Sequence, residues 1–167
     1  MKGPRLRVGL AGLGTMGRNH LRNLVARDVV TLVAVADPAP LPQQHALAMA
    51  PGARAFADPL AMVAEERLDA VIVAVPTTLH REVALAAMGR GAAVLVEKPL
   101  AGTVDEARSL VAAAKANGVV LQVGHIERFN PAVQELGRRL AGGALSRVYS
   151  IKTVRGGPLP ERIRDVG

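Results

Sequence analysis

The chain has 167 residues, half of them apolar, and carries a formal net charge of +7 with no cysteine. This is enough for one domain with a sizeable core plus a piece of another; it excludes disulfides and thiolate metal sites and fits a reducing, cytoplasmic setting. With one Tyr, two Phe and no Trp, the mostly Arg surplus lacks the stacking partners of a nucleic-acid surface, and no segment reaches the roughly 18 apolar residues of a membrane span, so neither partner is expected.

The first apolar run, RVGLA (7–11), reads as a strand, and the glycines from Gly9 to Gly17 break it too early for a signal peptide. Gly12, Gly14 and Gly17 then spell G-x-G-x-x-G ahead of a helix over 15–27 whose apolar face holds Leu21, Leu24 and Val25. In that setting Gly12 permits the tight turn, Gly14 lets backbone approach a pyrophosphate, and Gly17 lets the helix pack close to the strand. The helix N-terminus adds free N–H groups and a partial positive charge for the anion. Backbone at Leu13, Thr15 and Met16 belongs to the same cofactor-binding turn.

A second run, TLVAVA (31–36), ends at Asp37, about 20 residues beyond Gly17, where a dinucleotide's ribose is expected. A carboxylate there accepts from the ribose hydroxyls and repels a 2′-phosphate, and the following PAPLP offers no cation to reverse the preference, so NAD is expected over NADP. Asp37 is also placed to cap a turn before Pro38. Helical stretches follow at about 43–49 and 59–66, then a strand, AVIVAV (70–75), ending at Pro76 and Thr77. The helix over 79–89 carries His80 in its first turn. Pro76, Thr77 and His80 are read as lining the dinucleotide; ordinary capping is the other reading of Thr77 and Thr78.

The fourth strand, AVLVE (93–97), ends in Glu97, Lys98 and Pro99, a charge pair at the tip of an apolar run. Next, TVDEARSLVAAAKANG predicts a helix with a Thr103–Glu106 capping box, a stripe of Leu110, Val111 and Ala114, and a stop at Asn117-Gly118. A last strand, VVLQVG (119–124), runs into His125, Glu127, Arg128, Asn130 and Pro131. Continuous apolar runs alternating with helices predict an α/β fold, a Rossmann-like doubly wound parallel sheet whose strands are buried on both faces.

In this order, AGLGTMGRNH, VADP, VAVPTTLH, VEKPL and GHIERFNPAV resemble the glucose-fructose oxidoreductase, inositol dehydrogenase and rhizopine-catabolism (Gfo/Idh/MocA) family. The segment GHIERFNPAVQEL is most similar to members that oxidise UDP-N-acetylglucosamine at its 3-hydroxyl. The resemblance implies an NAD-dependent oxidoreductase acting on a sugar or nucleotide-sugar hydroxyl. It places Lys98 in the catalytic position beside nicotinamide and substrate, with a frequently cis bond before Pro99. An ammonium beside a cationic ring gives up its proton more readily than one in water, so Lys98 is a workable proton partner. Glu97, placed with Lys98 among the cofactor-binding residues, is expected to counter that charge or to fix the strand end, and His125, Arg128 and Asn130, with Lys98, become candidates for cofactor or sugar binding. Arg128 in an ion pair with Glu127 or Glu135 is the other reading.

The family pattern continues into a C-terminal α/β domain that binds substrate and builds homo-oligomers, with an Asp and a His after a segment resembling RIRDVG (162–167). The expected organisation is therefore an NAD(P)-binding Rossmann domain over 1–123 and, over 124–167, only the beginning of the second domain. Within that part RVYSIKTVRGG (147–157) reads as a strand. Two functions follow: the N-terminal part of a sugar or nucleotide-sugar dehydrogenase, inactive alone, or a stand-alone non-catalytic dinucleotide-binding module. Lys98 and the ERFNP turn favour the first, since NAD binding alone requires neither.

Overall fold

A computed structural model describes residues 4–143 and 147–154, in two compact units, Met1–His125 and Ile126–Gly167. The first unit is a six-stranded, wholly parallel sheet in the order β3-β2-β1-β4-β5-β6. Its strands are β1 (Leu6–Ala11), β2 (Val30–Ala36), β3 (Arg54–Phe56), β4 (Ala70–Val73), β5 (Ala93–Val96) and β6 (Leu121–Val123). Between them run α1 (Thr15–Val25), α2 (Pro40–Met49), α3 (Pro59–Glu65), α4 (Thr77–Gly89) and α5 (Val104–Ala116). The strand order reverses between β1 and β4, the point where this class of sheet binds its ligand.

Two apolar clusters sandwich the sheet. On one side Leu10, Leu13, Leu21, Leu32, Val35 and Ala46 join β1 and β2 to α1 and α2. On the other, Val33, Met62, Val83, Met88, Val96 and Leu110 join the sheet to α3, α4 and α5. Each fully buried Leu contributes about 1.5–3 kcal/mol relative to exposure. The expectation of strands buried on both faces holds for the ends of β1 and β2. In β4 and β5, however, residues alternate between buried and half-buried. The reason is the layering: α1 and α2 lie over β1 to β3, so the α1–α2 side of Ile72 and Leu95 has less helix above it.

Other differences are local. Strand β3, only RAF, was not expected; the turn at Pro51-Gly52 delivers it to the edge of β2. The strands after α3, α4 and α5 end one or two residues earlier than predicted, at Val73, Val96 and Val123. The Thr103–Glu106 capping box forms, with both reciprocal bonds present. In the second unit a 3-10 turn (Ile126–Phe129) leads to α6 (Pro131–Ala141), in a segment read from sequence as a turn. Residues 147–154 hold no strand, in place of the one expected there. The remainder of that expected strand, and RIRDVG, lie outside the described residues.

Candidate dinucleotide site at the carboxyl edge

The carboxyl tips of the six strands are joined in one row. Beyond five of them, the next residue's N–H donates to the last carbonyl of its neighbour: Asp37 to Phe56 at 3.0 Å, Gly12 to Ala36 at 2.7 Å, Ala74 to Ala11 at 2.7 Å, Glu97 to Val73 at 2.9 Å and Gly124 to Val96 at 2.8 Å. Satisfying the tips this way leaves the residues just past them in fixed positions. Parallel topology thus sets Gly12, Asp37, Glu97 and Gly124 along one edge although they are far apart in sequence.

The glycine loop fits a dinucleotide by what its backbone admits. Gly12 has φ +89°, and a Cβ there would collide with the Ala74 carbonyl, so only glycine makes this turn without strain. A Cβ on Gly17 would run into the Gly12 carbonyl oxygen; helix α1 can therefore sit this close only with glycine there. At Gly14 a Cβ would meet nothing within 4 Å, which is the open approach a phosphate needs. Gly14 is also the N-cap of α1, with no side-chain cap and no acidic residue in the first turn. The helix therefore keeps free N–H donors and an uncompensated positive end, the complement of a pyrophosphate. Leu13 buries its side chain in the core; Thr15 is exposed and Met16 half-buried at the helix start.

Asp37 is half-buried and shapes the loop. Its Oδ2 accepts from the Leu13 N–H at 2.8 Å and its Oδ1 from the Ala39 N–H at 2.9 Å. The turn-capping reading is seen directly, since Asp37 holds the Ala39 amide across the turn at Pro38, while each carboxylate oxygen keeps a second lone pair. Gln43 donates to the Asp37 carbonyl at 2.6 Å and braces the same corner.

Around β4 and β5 the side chains are more enclosed than expected. Pro76, not a threonine, is the N-cap of α4 and provides no side-chain bond; Pro76 is exposed and Thr77 half-buried. His80 is 2% exposed, with Nδ1 2.9 Å from the Pro99 carbonyl oxygen and Nε2 3.0 Å from that of Val75. Both nitrogens face carbonyl oxygens of two different loops, and the ring donates through whichever nitrogen carries hydrogen. Glu97 is 5% exposed: its Oε1 accepts from His20 Nε2 at 2.8 Å and its Oε2 from the Lys98 N–H at 3.2 Å. It fixes the strand end, as one of its two readings held, and its partner is a histidine on α1 that sequence reasoning passed over. Nothing local signals that pairing, which spans 77 positions.

Lys98 itself is exposed, and its peptide bond to Pro99 is cis. Its ammonium is therefore not desolvated by the described residues alone. His125 is exposed just beyond β6, its N–H donating to the Val123 carbonyl at 2.7 Å. In the second unit Asn130 caps α6, accepting from the Ala132 N–H at 3.0 Å and donating to Glu127 at 2.9 Å. Glu135, one suggested partner of Arg128, is taken instead by Arg138 and Arg139, whose guanidiniums hold its carboxyl below the usual range. Among the described residues no group of three or more His, Asp and Glu is disposed to hold a metal ion, and no helix is long and apolar enough to cross a membrane.

The model of the oxidoreductase family with an NAD-binding Rossmann fold, Gfo/Idh/MocA, matches residues 6–125. Among curated proteins, inositol 2-dehydrogenase 4 of Saccharopolyspora erythraea is 40% identical over 149 residues, covering 88% of this chain and 44% of that protein. The NAD(+)-dependent scyllo-inositol 2-dehydrogenase of Bacillus subtilis is 31% identical, covering 98% and 49%. Among solved structures, the WlbA dehydrogenase of Bordetella pertussis, in complex with NADH and UDP-GlcNAcA, superimposes with a TM-score of 0.82 at 31% identity, covering 89% of this chain and 43% of that one. The chain thus spans less than half the length of these relatives.

Proposed function

Because the chain belongs to the Gfo/Idh/MocA oxidoreductase family, whose Rossmann fold binds NAD, we propose that it forms the cofactor half of a dehydrogenase acting on a secondary hydroxyl of a polyol or sugar. The observation that carries this reading is the carboxyl edge, where an open, uncapped helix N-terminus at Gly14 and the Asp37 carboxylate stand in one row with the root of Lys98. When bound, NAD supplies a hydride acceptor at its nicotinamide. The chain's residues do the rest. The N–H groups at the start of α1 hold the pyrophosphate, Asp37 takes the ribose hydroxyls on its remaining lone pairs, and Pro76 and Thr77 border the cofactor. Lys98, as a free amine, accepts the hydroxyl proton while the carbon's hydrogen leaves with its electron pair. Its exposure means that bound ligands must supply the dry surroundings this needs. His125, Arg128 and Asn130 are the proposed contacts to substrate.

For substrate class, the inositol dehydrogenases among the relatives favour a polyol. The UDP-GlcNAcA complex of the WlbA neighbour and the GHIERFNPAVQEL segment favour a nucleotide sugar. Calorimetric titration is expected to show NADH bound at least about tenfold more tightly than NADPH; absence of NADH binding would end the reading. Adding myo-inositol, scyllo-inositol or UDP-N-acetylglucosamine to the NADH complex then separates the two substrate classes by which one alters the titration.

A further inference from the structure

We propose that His20 and His80 are positioning residues that aim Lys98, each gripping the chain on one side of it. The inference rests on the assignment of Lys98 to the nicotinamide end of the site. On the N-terminal side, His20 Nε2 donates to Glu97 Oε1 at 2.8 Å, and the other oxygen of that carboxylate accepts from the Lys98 N–H at 3.2 Å. The carboxylate has nowhere else to turn: it is buried, and a Cβ on Gly124 would come within 3.1 Å of it. On the C-terminal side, the carbonyl of Pro99 lies 2.9 Å from His80 Nδ1, while Nε2 of the same ring reaches the Val75 carbonyl at 3.0 Å. Lys98 is thus an exposed side chain on a three-residue segment whose two ends are both fixed by imidazoles.

The placement of the two histidines gives the arrangement its functional sense. His20 rides on α1, the helix that opens at Gly14, and His80 on α4, the helix that opens after Pro76. The two helices that frame the cofactor are therefore the ones that hold the Lys98 segment. A displacement of either helix would be felt at Lys98 through a partly buried hydrogen bond, and the Glu97 carboxylate, if deprived of His20, would be left buried and short of a donor.

The full chain is titrated with NADH and, separately, with ADP-ribose, which shares every group except the nicotinamide. His20→Leu and His80→Leu are expected to weaken NADH about fivefold more than ADP-ribose, the size of one ordinary hydrogen bond. His20→Gln and His80→Asn, which keep a donor in place, are expected to restore the ratio to within about twofold. Should His20→Leu fold poorly, His20→Leu/Glu97→Gln removes the orphaned charge and is expected to show the same altered ratio. Equal weakening of both ligands, or Gln and Asn variants no better than Leu, would overturn the proposal. Lys98→Met serves as the reference: if it changes the ratio and the histidine variants do not, this inference falls alone. If it leaves the ratio unchanged, the placement of Lys98 falls and takes the inference with it.

Discussion

The two edges of the sheet use their polar side chains in different ways. At the amino edge, charges pair with one another: Arg7 reaches Glu66 at 3.4 Å, and Arg54 reaches Glu65 at 2.9 Å and Glu66 at 2.8 Å. Asp69, ahead of β4, accepts from the Arg7 N–H at 2.7 Å. A cavity of about 280 Å³ opens there, bordered by Glu66, Arg67, Asp69 and Arg90. At the carboxyl edge, most side chains bind backbone, Asp37 the Leu13 and Ala39 amides, His80 a loop carbonyl and Glu97 the Lys98 amide, with His20 on Glu97 the one pair between side chains among these. The ion pairs satisfy themselves at the surface, where such pairs contribute little. The backbone-binding side chains fix loops and leave Gly14 and Lys98 facing outward. The hollow lies at the amino edge, whereas the loop geometry on which the proposed site rests is held by polar side chains at the carboxyl edge.

Substitutions at the two edges should therefore separate binding from stability. The largest effect is expected from Gly17→Val, whose side chain has no space against the Gly12 carbonyl. It should destabilise the fold by about 3 kcal/mol or more and abolish NADH binding, read by thermal unfolding and calorimetry. Asp37→Ala comes next: it removes the acceptor for two amides and the proposed ribose contact. NADH affinity is expected to fall about tenfold, and the preference over NADPH to narrow, since the repelling carboxylate is gone. If Asp37→Ala lowered stability and left NADH affinity intact, Asp37 would be a turn cap only, and the two edges would differ less than argued.

The contrast between edges was partly legible in the chain itself. Short-range chemistry could be read: the Thr103–Glu106 box, the glycine loop and Asp37 all follow from fixed spacings that backbone geometry demands. Strand β3 was missed because three residues are too few to carry a period. Helix α6 was missed although Asn130-Pro131, a capping side chain followed by Pro at the first turn, is a start signal. The histidines show the deeper limit. His80 was expected to line the cofactor, but its environment depends on where Pro99 and Val75 meet. The partner of His20 is known only once β5 lies in the sheet. Long-range pairing is a property of topology, and no spacing encodes it.

The amino edge supplies the smaller tests. Arg7 donates through Nε to the Arg67 carbonyl at 2.8 Å and half of its side chain is covered. Arg7→Ala should thus cost about 1 kcal/mol, the worth of one satisfied hydrogen bond, with no change in NADH affinity. Arg54 lies further out. Its guanidinium is held more firmly protonated than usual by hydrogen bonds from it to Glu65 and Glu66, but its side chain is largely exposed, so water and salt compete for those bonds. Arg54→Ala is expected to give the smallest shift in melting temperature of the series, and one that disappears in high salt. The residue also stacks its guanidinium over Phe56, 4.8 Å from the ring centre, an attraction that salt screens less than an open ion pair because one partner is an uncharged ring. A shift that survives high salt would therefore assign the contribution of Arg54 to that stacking, and with it the end of β3 would be held by an aromatic contact instead of the charge network that distinguishes this edge from the other.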